Sequence, residues 1–106
     1  MATPALTIAQ AGSYPAVFTV DGTLTDPTDV YFSFAVTDTQ GNIIEAKTVW
    51  HYGVDAGITK QSTGKYTAKV VPDVAGILEW RWVGTGTCEA SLNGSDVIQP
   101  APLALP

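Results

Sequence analysis

Two stretches of alternating apolar and polar residues, separated by a short corner that contains Pro72 and Asp73, occupy the segment 62–87. The apolar series are Tyr66, Ala68 and Val70 before the corner, and Leu78, Trp80 and Trp82 after it. Alternate residues of a β-strand point to opposite faces of its sheet. The pattern therefore predicts a hairpin of two antiparallel strands, with one face packed on a core and the other in solvent.

The rest of the chain shows the same kind of pattern, and no stretch keeps helical spacing over ten residues. Strands are predicted over residues 16–20, 30–37, 43–52, 66–71, 77–83, 87–92 and 97–99, with turns at 38–42 and 93–94. Val30, Phe32, Phe34 and Val36 fall on one face of the second strand. About seven short strands predict an all-β fold, an immunoglobulin-like antiparallel β-sandwich, with a small barrel as the alternative.

Both ends of the sequence differ from the strand-forming middle. We predict an N-terminal arm over residues 1–14, the sandwich over 15–99, and a Pro-rich C-terminal tail over 100–106. The tail reads PAPLALP, a composition that favours an extended conformation, but an ordinary disordered terminus is the favoured interpretation and a docking arm the alternative. Its candidate contact residues toward a partner are Pro100, Pro102, Leu103 and Leu105.

Charge is sparse and unevenly distributed. Charged residues make up 14% of the chain, whereas about 25% is usual in soluble domains. Residues 1–46 contain five acids and no base, and residues 47–106 contain five of each. No cluster of Lys and Arg suits a nucleic-acid backbone. So few charges are expected of a surface that neighbouring subunits cover.

Two further features limit the class of protein. No apolar run approaches the roughly 20 residues of a membrane span, and no basic residue precedes Lys47, so we expect neither a membrane anchor nor a secretory signal. Cys88 is the single cysteine, which excludes an intramolecular disulfide. It lies in an alternating run with Ala90 and Leu92, and we expect it to be buried.

Three motifs resemble reactive or ligand sites but lack the necessary partners. The segment around Asp21 resembles a phosphatase motif in which the nucleophilic aspartate is replaced by Thr19, so we interpret it as a turn. His51 has no recognisable triad or metal partners. Asp26 and Asp29 are interpreted as turn residues that bond their own backbone, not as calcium ligands. We therefore predict no enzymatic activity, no metal and no cofactor.

Exposed aromatic residues offer the alternative function. Trp50, Tyr52 and Tyr31 are candidate contact residues, and as flat rings they suggest a carbohydrate-binding or adhesion module. Trp80 and Trp82 share a face with Leu78, so at least one is expected in the core. For the whole set, core or subunit interface is the favoured interpretation.

Three segments together carry a family resemblance. DGTLTDPTDVYFSFAVTDTQGN at 21–42, QSTGKYTAKVVPDVAG at 61–76 and LEWRWVGTGT at 78–87 resemble small proteins encoded in the structural gene clusters of tailed phages and prophages. The resemblance implies a non-enzymatic, immunoglobulin-like virion component made in the host cytoplasm. It implies a capsid decoration (cement) subunit, or else a head–tail (neck) or tail component. The partners would be major capsid, neck or tail proteins, contacted by many copies of this chain.

Overall fold

A computed structural model of the chain describes residues 6–7 and 11–99. These residues form ten β-strands, and no helix occurs in the same ranges. The strands are β1 (Leu6–Thr7), β2 (Gly12–Val17), β3 (Thr19–Val20), β4 (Thr23–Leu24), β5 (Asp29–Thr37), β6 (Ile43–His51), β7 (Ile58–Ser62), β8 (Lys65–Val70), β9 (Gly76–Thr85) and β10 (Ala90–Gln99).

The strands form two main sheets and a small ribbon. The larger sheet has the order β1-β10-β9-β5-β6, the smaller has the order β2-β8-β7, and β3 pairs with β4 alone. All pairings are antiparallel except the parallel pairing of β1 with β10. The predicted all-β fold with antiparallel sheets is confirmed, and the arrangement is consistent with a β-sandwich.

The core lies between the two main sheets. Alternate residues of β5, β8 and β9 point into it, as their sequence pattern predicts. The predicted inward residues that are buried are Val30, Phe32, Val36, Tyr66, Ala68, Val70, Leu78 and Trp82, while Phe34 and Trp80 are partly buried against them. Phe32, Leu78 and Trp82 have no exposed surface, so the middle of the larger sheet is the most deeply buried part of the fold.

The predicted hairpin of β8 and β9 is wrong. β8 pairs with β2 and β7 in the smaller sheet, whereas β9 lies between β10 and β5 in the larger sheet. Residues 71–75 therefore carry the chain from one sheet to the other. The crossing buries both apolar faces against each other, which a flat hairpin in a single sheet would not do.

The predicted turn at 93–94 is also wrong, because β10 runs without interruption from Ala90 to Gln99. Gly94 lies opposite Trp80, and a Cβ at this position would stand 2.6 Å from the Cζ2 atom of that ring. The glycine thus provides space for an aromatic side chain. Cys88 is buried as predicted, but Ala90 and Leu92 are exposed.

The β-structure begins before the predicted boundary at residue 15. β2 starts at Gly12 and pairs with β8, and Tyr14 is buried in the core. β1 pairs with the end of β10. The tail residues 100–106 lie outside the described residues. No helix in the described part of the chain is long and apolar enough to cross a membrane.

We predict that Gly94→Ala destabilises the fold. The added methyl group would collide with the Trp80 ring, and overpacking of this kind typically costs about 1–3 kcal/mol. Urea unfolding followed by tryptophan fluorescence measures the change. Ser95→Ala, on the adjacent exposed position, is the control and should change the free energy of unfolding by less than about 0.5 kcal/mol. Equal stability of the two variants would contradict the packing role of Gly94.

Candidate interaction surface

Trp50 is a packing residue. Its ring lies edge-to-face against Phe34, with a centroid distance of 4.8 Å, and lies 6.0 Å from Phe32. Gly57 approaches the ring so closely that a Cβ there would stand 2.4 Å from its atoms. The bulk of Trp50 is therefore held between β5 and the segment that leads into β7.

The three candidate aromatics do not form one platform. Tyr52 is partly exposed and packs edge-to-face on Tyr66, at 5.2 Å. Tyr31 lies on the opposite face of the larger sheet from Trp50 and stacks on His51, at 4.5 Å with 16° between the rings. A sugar could not stack on all three rings at once. The other candidate residues, Pro100, Pro102, Leu103 and Leu105, lie outside the described residues.

His51 is held by two acids at the end of β6. Its Nε2 atom lies 3.0 Å from Oδ1 of Asp29, and its backbone N–H donates to Oδ2 of Asp55 at 2.9 Å. Among the described residues, no Ser or Cys side chain makes a hydrogen bond to the ring. The contacts join β5 to β6 and to the loop after β6, which is a structural role.

Asp26 joins three distant parts of the chain. Its carboxylate accepts hydrogen bonds from Lys60 Nζ at 2.7 Å, from the Gly64 backbone N–H at 2.8 Å and from the Tyr66 hydroxyl at 3.0 Å. Its backbone carbonyl accepts from Thr87 Oγ1 at 2.7 Å. The prediction that Asp26 bonds its own backbone as a turn residue is wrong, because these side-chain partners lie 34 to 40 positions further along the chain.

These contacts change the acidity of the groups involved. Hydrogen bonding to Lys60, and then to the Gly64 amide, holds the pKa of the Asp26 carboxyl below its usual value. Burial raises the pKa of the Tyr66 hydroxyl to about 12, and the hydrogen bond to Asp26 adds to that shift. Since donors already surround the carboxylate, Asp26 acts as a structural link. The described residues contain no group of three or more potential metal ligands.

A groove of about 660 Å³ lies on the larger sheet. It draws its lining from four strands, β5, β6, β9 and β10, and from the turn between β5 and β6. The residues that line it include Ser33, Ala35, Thr37, Ile43, Lys47, Glu79, Arg81 and Asn93. The cross-strand partners of Arg81 are Ser33 and Asn93, and those of Glu79 are Ala35 and Ser95, so these residues share the outer face of the sheet.

The groove carries two cations and one anion. Glu79 accepts a hydrogen bond from Thr37 Oγ1 at 3.1 Å. Among the described residues, the ion pairs are Lys60–Asp26 and His51–Asp29. Lys47 and Arg81 are therefore without a carboxylate partner within this range. The groove offers a net positive charge in a chain whose net charge is −5.

The edge of the larger sheet at β6 is poorly suited to pair with another strand. The register between β5 and β6 shifts twice, between Phe34 and Val36 and between Val36 and Thr37. Bulges and an outward lysine, here Lys47, are features that discourage edge-to-edge pairing. The outer face of the sheet, and not its edge, is thus the better candidate for contact.

No protein-family model, curated protein or solved structure matches this chain. The groove is interpreted from its own residues alone. Sequence analysis missed it, although the outward alternation of Glu79 and Arg81 within β9 is a visible signal that these residues oppose the core.

We predict that Asp26→Asn lowers the melting temperature at neutral pH and reduces the loss of stability in acid. A carboxyl whose pKa is lower in the folded state stabilises the fold above its unfolded pKa of about 3.9. That contribution disappears as the pH falls through the folded pKa. Thermal unfolding between neutral pH and acid, followed by circular dichroism, measures the difference.

Glu89→Gln is the matched control, because the exposed Glu89 carboxylate makes no hydrogen bond among the described residues. Part of the acid sensitivity should remain in the Asp26 variant, since a hydrogen bond from the Asn42 backbone also lowers the pKa of Asp38. If the Asp26 and Glu89 variants gave the same profile, Asp26 would not be the structural link described above.

Proposed function

We propose that this chain is a non-enzymatic structural protein of a tailed-phage virion that acts through protein–protein contacts. The observation that carries the proposal is that three large apolar side chains are exposed on the outer face of the larger sheet, among polar and charged ones. Ile43, Val49 and Val97 point outward there and are 68%, 52% and 54% exposed. Outward faces of antiparallel sheets are normally polar, and covering exposed apolar groups favours association.

The sequence resemblance over 21–87 supports the placement in a virion, and the sheet arrangement agrees with an immunoglobulin-like sandwich. We propose a capsid decoration (cement) subunit, or a head–tail or tail component, that binds major capsid, neck or tail proteins in many copies. Each contact would stabilise the assembled state by mass action, because the subunit binds the assembly and not its separated parts. Contacts of this kind need sizeable, complementary surfaces.

Mass spectrometry of purified particles tests this proposal. We expect the chain in particles that have been separated from free protein on a density gradient. Its copy number relative to the major capsid protein, together with particle imaging, distinguishes the positions: a number close to that of the capsid protein indicates the shell, and the number of a single ring indicates the neck or tail. Absence of the chain from clean particles would exclude a virion role.

We further predict that deleting residues 100–106 weakens incorporation into particles but leaves the melting temperature of the purified protein unchanged. The apolar tail is proposed as an assembly arm whose Leu103 and Leu105 gain by burial on a partner. Changing both leucines to serine keeps the length of the tail and should reproduce the defect. Normal incorporation of both variants would remove the tail from the proposal.

A further inference from the structure

The ribbon of β3 and β4 pairs with neither of the two main sheets. The two strands are joined by Asp21 and Gly22, with φ angles of +50° and +80°, as in tight hairpin turns. All four strand residues are exposed, and Val20 and Leu24 are each 40% exposed. We call residues 20–24 the ribbon tip. It presents a carboxylate beside two apolar side chains.

The ribbon tip and the groove of one copy are separate surfaces, and no residue of the ribbon tip lines the groove. The ribbon lies on the side of the fold where β5 begins, because Phe18, which precedes β3, and Pro27, which follows β4, both approach Gly84, the cross-strand partner of Val30. The groove reaches Thr37, the last residue of β5, and the turn that follows it. The groove begins at Ser33, four residue steps or about 14 Å along β5 from Asp29, and ends beyond Thr37. The ribbon tip does not line the groove of its own chain, so a second copy must supply the tip if the two surfaces are to meet.

We infer that the ribbon tip of one copy docks in the groove of a second copy. Charge complementarity supports this occupant, since Asp21 has no ion-pair partner among the described residues, and neither has Arg81 or Lys47. The Asp21 carboxylate would approach these two cations. The Glu79 carboxylate in the groove would repel the Asp21 carboxylate, but the hydrogen bond from Thr37 holds the Glu79 carboxylate in place.

Apolar contacts would accompany the charge pairing. Val20 and Leu24 flank Asp21 in the ribbon tip, and Ile43 and Ala35 line the groove. Ile43 and both ribbon side chains are exposed in the single chain, so their burial at the contact would supply free energy, while the charges would fix the orientation.

The contact would join two different surfaces, so copies would associate head to tail. Such heterologous contacts close into rings when the rotation permits and otherwise extend as open chains. This inference rests on the proposed function, because it specifies how an assembling structural protein contacts its neighbours. It does not depend on which site in the virion the protein occupies.

Sedimentation velocity of the purified full chain, over a range of concentration and salt, tests the contact through two charge reversals. Asp21→Lys and Arg81→Glu should each weaken self-association at least about tenfold, because like charges would meet at the contact. An equal mixture of the two variants should restore association, since each ribbon tip then meets a groove of opposite charge. Higher salt should weaken association of the unaltered chain.

Asp21→Asn guards against misfolding of the turn, since asparagine tolerates a positive φ while removing the charge, and it should show a smaller loss. Glu89→Lys and Lys69→Glu are exposed charge reversals outside both surfaces and should leave association unchanged. A chain that stays monomeric at all concentrations, or a mixture that fails to associate, would overturn the inference.

The two proposals can fail separately. A chain found in purified particles that nevertheless shows no dependence on Asp21 and Arg81 would overturn the docking and leave the virion role in place. A chain that associates through these residues but is absent from particles would contradict the virion role alone.

Discussion

Trp82 is the residue around which the two main sheets close. Its ring has no exposed surface and lies 4.8 Å from Phe32 on the adjacent strand and 6.5 Å from Phe18 on the opposite side of the core. The indole N–H has no hydrogen-bond partner among the described residues, and a buried donor left unpaired costs about 1–3 kcal/mol. Burying about 200 Å² of aromatic surface stabilises by about 5 kcal/mol, so burial outweighs that cost.

The candidate groove depends on the same strand that carries this core. β9 alternates Leu78, Trp80 and Trp82 toward the interior with Glu79 and Arg81 toward solvent. If the register of β9 shifted by one residue, the inward and the outward side chains would exchange faces. The buried indole therefore fixes the phase of β9, and that phase puts the two charged groups on the outer face. The core and the groove both follow from the same alternation of side chains along β9.

Sequence alternation predicts which face a residue occupies but not which strand lies beside it. The inward series of β5, β8 and β9 follow from local periodicity. Strand pairing is non-local, so the separation of β8 from β9 into two sheets and the partners of Asp26 were not predictable. Asn93-Gly94 is a sequence typical of turns. Its place within a strand is explained by the Trp80 ring, which lies opposite Gly94 and needs the space that a glycine leaves. The inward position of Trp50 does not follow from alternation either, because its neighbour Val49 is also apolar and lies on the other face of β6.

The acidic residues of the first part of the sequence are spread over the fold: Asp21 lies at the ribbon tip, whereas Asp38 and Glu45 lie in the turn and the strand beside the groove. The first 46 residues contain five acidic residues and no basic residue. The two groove cations, Lys47 and Arg81, come from the remainder of the chain. In the proposed contact, the acidic residue at the ribbon tip of one copy meets the cations in the groove of the next copy, so the attraction would join two different surfaces and give the assembly a direction. A subunit with few charges can thus specify direction, because the charges that could misalign it are scarce.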